Sequence, residues 1–363
     1  MGSGDRGGRL STFAVILAGG KGARFWPAGR RARPKQLLRI AGERTMLEET
    51  LRRCAPLAPP ERTFVVTNTL QEEPTRRVAG ELGGDEGLVE PLMRNTAAAI
   101  GLAALHVRRI DPEGVMLILP ADHVIRPPER FLSTFRAAAR RAAEQAAILV
   151  VGVLPSGPAT GYGYIEAGDV VAEVEGYAVH AVARFKEKPD AARAQELLQT
   201  GRTWWTFVVS APALMQAFEE HLPGHARILA EIDERLGAGE AAPEETYRRL
   251  ENVPFDIGVV ERARNVEVIP ADFDWDDVGS WLALGRIHPR DEQGNVVRGR
   301  HAALDTRNCI LISDHDHLLA TIGLEDAIVV HTPDATLICR RARAEDVRRL
   351  VEQLGEEGLE EYL

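Results

Sequence analysis

The sequence has few cysteines and no long apolar run, and each of these two shortages argues against a class of protein. Its three cysteines, Cys54, Cys309 and Cys339, are odd in number, far apart and without CxxC spacing, which favours neither a disulfide framework nor a zinc site. No run approaches the roughly 18 apolar residues of a membrane span, and the first eleven residues lack the apolar core of a secretion signal. We therefore expect a cytoplasmic protein without a membrane partner.

Excess positive charge is also missing. The 363 residues contain 44 Lys and Arg against 54 Asp and Glu, for a net charge of -10, which argues against a surface built to hold nucleic acid. Any phosphate group is therefore expected to be bound locally. With 45% hydrophobic residues the chain can form a large core, and its length favours one large domain and a smaller one.

What the sequence does contain is an alternation of short apolar runs with helical periodicity, which is typical of βαβ units. Strands buried on both faces, as in a parallel sheet, are predicted at 13–19, 63–68, 115–122 and 147–153. Helices are predicted at 46–54, 95–110 and 128–145. We expect a loose tail at 1–11 and a first domain at 12–287.

The predicted secondary structure changes after residue 288, from alternating strands and helices to short strands. Short strands within 302–313, 318–332 and 336–341 are separated by polar turns, and a charged helix is predicted at 344–355. Residues 288–363 are therefore expected to form a small β-domain, with a partial β-solenoid as one candidate architecture.

The segment AVILAGGKGARFWP at residues 14–27 places three glycines within four positions after the first predicted strand. It is neither a dinucleotide fingerprint, because Phe25 occupies the last glycine position, nor a P-loop, because GK followed by Ser or Thr is absent. A glycine loop at the end of a strand still lets backbone N–H groups approach an anion, and Arg24 and Lys35 add positive charge. The alternative is a tight strand-to-helix turn with solvated basic residues.

GGKGARFWPAGRRARPKQ at 19–36 resembles the signature GGxGxRxWPxSRxxxPKQ of the mannose-1-phosphate guanylyltransferases, a family of sugar-phosphate nucleotidyltransferases. Six further motifs resemble that family in the same order: EPLMRNTAAAIGLAA (90–104), LPADH (119–123), ATGYGYIE (159–166), FKEKP (185–189), FDIGVVE (255–261) and WDDVGSW (275–281). The resemblance is strong over residues 13–285 and weak beyond them.

The resemblance implies an α/β fold with a Rossmann-like domain of mixed, mostly parallel sheet, and a small C-terminal β-domain that could be a partial left-handed β-helix. It also implies that GMP is transferred from GTP to mannose 1-phosphate, giving GDP-mannose and pyrophosphate. Such an enzyme positions two anions and screens their charge without a covalent nucleophile. The partners would be these two small molecules, and a homodimer is compatible with the family.

The family pattern assigns the chemistry to five residues. Asp122 and Asp277 would hold Mg²⁺ through carboxylate oxygens, whereas Arg24 and Lys35 would bind the triphosphate and Lys188 the phosphate of the sugar substrate. Taken alone, Asp122 could instead be a helix N-cap, Asp277 a turn residue, and the basic residues members of surface ion pairs.

The resemblance also implies binding residues around these five. The nucleotide would contact the first strand end, the glycine loop and the segment after residue 90, at Leu17, Ala18, Gly19, Gly20, Gly22, Glu90, Arg94, Asn95 and Thr96. The sugar phosphate would contact Gly161, Tyr162, Glu187, Lys188 and Trp205. The alternative for Asn95 or Thr96 is simply to cap the helix that follows.

Trp205 is the main departure from the family pattern. Where the family has W-N-S-G-x-F, this chain has Trp204-Trp205-Thr206-Phe207, so an indole replaces an amide that normally approaches the sugar. The alternatives are therefore another sugar 1-phosphate of glucose or heptose type, another nucleotide, or a weakly active regulatory subunit that binds nucleotide sugars. The chain also ends before the isomerase domain of bifunctional relatives, so phosphomannose isomerase activity is not expected.

Overall fold

A nine-stranded mixed sheet forms the larger part of the structure. The computed structural model describes residues 10–20, 22–80, 87–154, 163–187, 190–197, 201–313 and 316–363, with the backbone alone at 186–187 and 201–205. The strands of the first 276 residues are β1 Thr12–Leu17, β2 Thr63–Asn68, β3 Gly87–Glu90, β4 Val115–Pro120, β5 Val124–Arg126, β6 Ile148–Val153, β7 Gly163–Val174, β8 Tyr177–Glu187, β9 Gly201–Ser210, β10 Val266–Pro270 and β11 Asp274–Asp276.

The strand order is β3-β2-β1-β4-β9-β6-β10-β8-β7, and β5 and β11 form a separate two-stranded ribbon. The pairs β3–β2, β2–β1, β1–β4 and β6–β10 are parallel. Every pairing that involves β7, β8 or β9 is antiparallel. The mixed α/β sheet expected from the sequence is confirmed. Because β1, β2 and β4 are parallel neighbours, the loops that follow them meet at one edge of the sheet.

The helices cover both faces of this sheet. They are α1 Met46–Cys54, α2 Glu72–Gly80, α3 Asn95–Ile110, α4 Pro128–Glu144, α5 Ala191–Leu197, α6 Ala211–His221, α7 Pro223–Gly237, α8 Glu244–Arg248, α9 Leu284–Ile287 and α10 Val347–Glu356. Alternate residues of β4 enter two different hydrophobic clusters, with Met116 and Ile118 on one face and Leu117 on the other. This two-sided burial explains the uninterrupted apolar runs of the sequence. None of the described helices is long and apolar enough to cross a membrane.

The helix boundaries agree closely with the sequence prediction, whereas two strands end early. Helices α1 and α3 have the predicted bounds, and α1 begins at a capping box in which the Thr45 hydroxyl accepts a hydrogen bond from the N–H of Glu48. Strand β1 ends at Leu17 and β4 at Pro120, two residues before the predicted positions. The chain leaves the ladder there because Ala18 and Asp122 belong to the loops that build the site.

The C-terminal part forms a small parallel β-structure. Its strands are β12 Val296–Arg298, β13 His301–Leu304, β14 Ile310–Ser313, β15 Leu319–Ile322, β16 Ala327–His331 and β17 Thr336–Arg340. β12, β14 and β16 pair in parallel, β13 pairs in parallel with β15, and β17 closes the first of these sheets in the antiparallel direction. Sequential strands thus alternate between two sheets, which is the arrangement of a β-solenoid.

The segments 302–313 and 318–332, where short strands were predicted, each contain two strands. Asp305, Asn308 and Asp326 have φ near 50°, in the left-handed region where Asn and Asp are enriched. These residues turn the chain from one sheet to the next. The predicted terminal helix is also shifted, since residues 341–346 form a 3₁₀ turn and α10 begins at Val347.

A continuous hydrophobic cluster joins the C-terminal part to the glycine loop. It contains Phe25 and Trp26 from the loop, Trp281 from the chain before the boundary, and Ile310 and Val347 from beyond it. The rings of Phe25 and Trp281 meet edge to face with centroids 5.0 Å apart. The segment around residue 288 is packed as well, because Nε2 of His288 donates a 2.6 Å hydrogen bond to the Ile40 carbonyl.

A buried polar pair links β3 to α8. The Tyr247 hydroxyl, which is fully buried, donates a 2.6 Å hydrogen bond to Oε1 of Glu90, which is 5% exposed. Burial raises the pKa of Glu90 to about 7, although the hydrogen bond from Tyr247 acts in the opposite direction. Glu90 therefore keeps its proton in the folded protein at pH values where the unfolded chain has lost it.

This pair predicts a pH-dependent stability. Between the ordinary pKa of 4.5 and about 7, the native state binds more protons than the unfolded state, so the contribution of Glu90 falls as the pH rises. Glu90→Gln cannot ionise and keeps a carbonyl oxygen for Tyr247. Measured by urea unfolding, the free energy of unfolding of the variant should rise relative to that of the wild type across this window. The difference should reach up to about 3 kcal/mol above pH 7.

The control for this measurement is Glu73→Gln, which changes a carboxylate of α2 that is 75% exposed and pairs with Arg77. The free energy of unfolding of the control should match that of the wild type at every pH, because exposed ion pairs contribute little to stability. A difference between Glu90→Gln and wild type that is independent of pH would contradict the protonated state assigned to Glu90.

Candidate active site

The glycine loop after β1 is packed against the segment that carries Lys35. Gly22 has φ 60°, and a Cβ at this position would lie 2.5 Å from the Lys35 backbone nitrogen. Gly29 is equally constrained, since its Cβ would lie 2.9 Å from the Gly22 carbonyl oxygen. Only glycine fits these two positions without moving the backbone. The loop is therefore a folded support for Lys35, in addition to any role in contacting an anion.

Two buried glutamines hold the carbonyl groups of the loop. Gln36 donates to the Ala18 carbonyl, and Gln71 donates to the carbonyls of Gly20 and Arg31 at 3.2 Å each. The two amides also contact each other at 3.2 Å. Sequence reasoning assigned neither glutamine to the site, although Gln36 belongs to the quoted PKQ motif. Because the side chains satisfy these loop carbonyls, the loop conformation does not depend on a ligand.

Lys35 lies at the centre of the site. Its side chain is 9% exposed, and its ammonium is 2.8 Å from Oδ2 of Asp122 while donating a hydrogen bond to the backbone carbonyl of Asp277. One buried cation thus joins three segments that are far apart in the sequence. The pairing also offsets the cost of burying a charge.

Asp122 follows β4 in a turn. It is not the N-cap of a helix, because β5 comes next and α4 begins only at Pro128. Burial by itself raises the pKa of the Asp122 carboxyl, but the charge and hydrogen bond of Lys35, with His123, outweigh it and hold the pKa below its usual value. The Asp122 carboxyl is therefore ionised at neutral pH.

His123 belongs to the site and was missed in the sequence analysis, where it stood only as the last letter of LPADH. Its Nδ1 lies 3.1 Å from the indole Nε1 of Trp275, so Nδ1 accepts and the proton lies on Nε2. Nε2 is 3.7 Å from Oδ1 of Asp122. Burial lowers the pKa of His123 to about 4, so this imidazole is neutral and links Trp275 on β11 to Asp122.

The two aspartates of WDDVGSW have different roles. Arg286 binds Asp276 through both of its carboxylate oxygens, and the N–H of Val278 donates to Asp276 Oδ1 at 2.7 Å. Asp277 has no ion-pair partner for its carboxylate within the described part of the chain and lines the same cavity as Asp122. Val278 has φ 48°, a strained conformation for a β-branched residue. This backbone turn separates Asp276, which is paired with Arg286, from Asp277, which lines the cavity.

Arg24 reaches the same cavity from the glycine loop. A Cβ on Gly279 would lie 3.0 Å from Asp277 Oδ2 and 3.5 Å from Arg24 Nη1, which places both side chains beside Gly279. In this structure Arg24 contacts Glu345 at 3.4 Å, with the two side chains 49% and 63% exposed. Such an exposed pair is weak, and the guanidinium is available to another anion.

These residues line one cavity of about 680 Å³. Of the residues expected from the sequence it contains Gly20, Gly22, Arg24, Lys35, Asp122 and Asp277. The described lining does not include Leu17, Ala18, Gly19, Glu90, Arg94, Asn95 or Thr96. Arg31 also lines it, and borders a second cavity of about 440 Å³ with Asn68, Leu70 and Met93.

The predicted nucleoside residues around α3 are engaged with the protein. Thr96 accepts a 2.8 Å hydrogen bond from the N–H of Phe255, and Arg94 donates to the Arg248 carbonyl at 2.7 Å. Asn95 has φ 67° and accepts from the N–H of Thr96, so it satisfies one free amide of the helix start. The N-cap of α3 is Arg94 and no side chain makes a capping hydrogen bond there, so the capping alternative holds for neither Asn95 nor Thr96. Oε2 of Glu90 is 3.8 Å from the position of a Cβ on Gly19, which places Glu90 beside the glycine loop.

The predicted sugar residues fall partly outside the described residues. Gly161, Tyr162 and Lys188 lie in the segments that are not described, and only the backbone is described for Glu187 and Trp205. The backbone pairings Gly163–Glu187 and Tyr164–Thr203 bring the three strands together at one corner of the sheet. Trp205 falls at an irregularity of β9, because Val151 pairs with Thr206 and Gly152 with Trp204.

No cluster of three or more His, Cys, Asp or Glu side chains that could hold a metal ion occurs among the described residues. Two carboxylates that line one cavity are nevertheless a suitable donor set for a divalent cation that takes its other ligands from water and phosphate. Asp122 and Asp277 fit that description, because both offer hard oxygen donors and Asp122 is ionised. The nucleotidyltransferase family in general uses a divalent metal.

Comparisons with known proteins agree with this geometry. Residues 13–294 match the family model for nucleotidyl transferases, and residues 299–354 match that of the MannoseP isomerase/GMP-like beta-helix domain. The mannose-1-phosphate guanylyltransferase of Klebsiella pneumoniae is 36% identical, over 96% of this chain and 75% of its own. The alginate biosynthesis protein AlgA of Pseudomonas aeruginosa is 34% identical, over 96% of this chain and 73% of its own.

A solved structure from Thermus thermophilus, described as a mannose-1-phosphate geranyltransferase, is 36% identical with a TM-score of 0.85. The similarity covers 95% of this chain and 100% of that one. It includes the C-terminal part, where the motif resemblance was weak. The chain belongs to the mannose-1-phosphate guanylyltransferase family of nucleotidyl transferases.

Proposed function

We propose that this protein transfers GMP from GTP to mannose 1-phosphate, releasing pyrophosphate. The observation that carries the proposal is the convergence of Lys35, Asp122 and Asp277 on one cavity beside the glycine loop. The relatives from Klebsiella pneumoniae and Escherichia coli, which are 36% identical to this chain over 362 residues, are named as mannose-1-phosphate guanylyltransferases.

The reaction is a single displacement at phosphorus. A phosphate oxygen of the sugar substrate attacks the α-phosphorus of GTP, a P–O bond forms, and the bond to the α–β bridging oxygen breaks. The bonding electrons leave with pyrophosphate, and no protein group becomes covalently attached. Catalysis therefore consists of placing two anions in line and stabilising the charge that moves to the leaving group.

Lys35 is suited to screening phosphate charge because the fold fixes its position. Its ammonium is buried, paired with Asp122 and bound to the Asp277 carbonyl, so little reorganisation is needed when a phosphate arrives. Arg24 lines the same cavity and offers a planar fork of donors, and its ion pair with Glu345 is exposed. We assign both residues to the triphosphate.

We propose Mg²⁺ as the metal, held by Asp122 and Asp277. Bound there, the ion would screen the phosphate oxygens and stabilise the charge that develops on the leaving pyrophosphate. Lys35 is paired with Asp122, and His123 lies beside the same carboxylate. Asp276 is already paired with Arg286 and is therefore not available to the metal. The protein therefore presents two carboxylates and leaves the remaining coordination to water and substrate.

The remaining site assignments are proposals that follow the family pattern. We assign the first strand end, the glycine loop and Glu90 with the start of α3 to the nucleoside and phosphates, and the corner of β7, β8 and β9 to mannose 1-phosphate. In that corner Lys188 would neutralise the sugar phosphate, while Gly161, Tyr162 and Glu187 would contact the sugar. A cytoplasmic location and a homodimer also stay predictions.

The first test is a substrate panel. Sugar 1-phosphates of mannose, glucose and heptose type, crossed with four nucleoside triphosphates, should give most pyrophosphate with mannose 1-phosphate and GTP. A higher kcat/KM for another pair would replace the proposed substrates. Binding of GDP-mannose without pyrophosphate release from any pair would favour the regulatory-subunit alternative.

The second test concerns the metal ligands. Asp122→Asn and Asp277→Asn should each reduce turnover by at least about a hundredfold at limiting Mg²⁺, because a neutral amide is a poor ligand for a hard cation. Mn²⁺ titration of the unreacted protein should show weakened binding in both variants. Asp272→Asn, which changes an exposed partner of Arg130, is the control and should retain both properties. Near-normal metal binding in both site variants would remove these carboxylates from the assignment.

The third test concerns Trp205 and sugar choice. If the indole lies beside the sugar, Trp205→Asn should keep the fold and change the kcat/KM ratio of mannose 1-phosphate to glucose 1-phosphate by about tenfold, or about 1.4 kcal/mol. If the indole is part of the core, the variant should lose about 3 kcal/mol of stability or more, with the ratio unchanged. A stable variant with an unchanged ratio would contradict both interpretations and place Trp205 at the surface.

A further inference from the structure

The C-terminal helix forms one wall of the cavity that contains Lys35 and Asp122. Besides the residues of the glycine loop and of the two aspartate segments, the lining includes Arg348, Glu352 and Gly355 of α10. These residues lie beyond the part of the chain that carries the nucleotidyltransferase motifs. The solenoid part therefore contributes directly to the surface of the candidate site.

The helix is fixed to the glycine-loop segment by its packing and by the chain that follows it. The Trp26 indole donates to the Tyr362 carbonyl at 2.8 Å, and the N–H of Arg31 donates to the Leu363 carbonyl at 3.0 Å. Val347 and, partly buried, Val351 pack in the same cluster as Trp26. Arg348 is thereby held at a defined place along the cavity, while its own side chain is 71% exposed.

The charges along this wall suit a polyanion. Arg348 is engaged with Glu352 at 3.1 Å, one turn along the helix, and Arg24 with Glu345 at 3.4 Å. All four side chains are about half exposed or more, so both pairs are weak and can be exchanged for a more highly charged partner. Arg31 lines the cavity as well and has no ion pair to a described residue.

The position of Arg348 indicates which part of the substrates it faces. The described lining of the cavity includes no residue of β7, β8 or β9, where the sugar phosphate is assigned, and not Glu90, where the nucleoside is assigned. Under the proposed function the reacting phosphorus lies at Lys35, Asp122 and Asp277, which line this cavity together with α10. The wall that α10 forms is then available to the phosphates that depart.

We propose that Arg348 binds the β- and γ-phosphates of the nucleotide and the pyrophosphate formed from them. This inference rests on the proposed function and adds a binding residue from the solenoid part to the site. Arg348 supplies a fork of N–H donors that pairs with phosphate oxygens after releasing Glu352. The same contact acts in the reverse reaction, where pyrophosphate attacks the nucleotide sugar.

The test compares Arg348→Ala with Arg349→Ala in the full-length protein. Arg349 is the next residue of the same helix, is 78% exposed, contacts Asp346 at 3.8 Å and does not line the cavity. Arg348→Ala should raise the KM for inorganic pyrophosphate in the reverse reaction, and for GTP in the forward reaction, by about tenfold. The KM values for mannose 1-phosphate and GDP-mannose should stay within about twofold, and Arg349→Ala should match the wild type.

Two further variants keep the result interpretable. Arg348→Lys retains the charge and should recover part of the pyrophosphate affinity, whereas Glu352→Gln frees Arg348 and should lower the KM for pyrophosphate. Unchanged pyrophosphate KM in Arg348→Ala, or equal losses in Arg348→Ala and Arg349→Ala, would overturn the inference. An inactive wild type in the substrate panel would instead overturn the proposed function, so the two failures can be told apart.

Discussion

The site depends on one buried cation. The Lys35 side chain is 9% exposed, and Asp122 and the Asp277 carbonyl offset the cost of burying its ammonium. Those two partners come from segments that no local interaction would bring together. Glycine is needed at position 22 because the backbone of Lys35 lies against it and leaves no room for a Cβ. The lowered pKa of Asp122 and the meeting of the three segments therefore follow from where this lysine is placed.

The solenoid part shares its hydrophobic core with the loop that it faces. Phe25 and Trp26 pack in one cluster with Ile310, Val330 and Val347, and the chain after α10 accepts hydrogen bonds from Trp26 and Arg31. A change in the solenoid part would thus be transmitted to the glycine loop by direct contact. This packing gives a physical reason for the C-terminal part to be retained beside the catalytic part, and it sets the wall of the cavity that Arg348 occupies.

Much of the fold could be read from local patterns. Two-sided burial of β1, β2 and β4 produced continuous apolar runs, and α1 and α3 have the bounds that periodicity predicted. The predicted strand ends were wrong where a residue belongs to a loop and does not pair with a neighbouring strand. Strands β1 and β4 end two residues early for that reason. In the solenoid part, polar turns were expected between short strands, and the structure locates three turn residues with left-handed conformation, Asp305, Asn308 and Asp326.

The sequence by itself determined the residue types of the site, because the motifs carry Arg24, Lys35, Asp122 and Asp277 at recognisable places and exclude the common phosphate loops. Only the tertiary structure decided which of them meet. It distinguished Asp277 from Asp276 through the Arg286 contact, and it brought in His123, Gln71 and Arg348. The physical reason is that hydrogen bonds and ion pairs act over a few ångströms, whereas the partners lie on strands and helices that only the assembled sheet and core bring together.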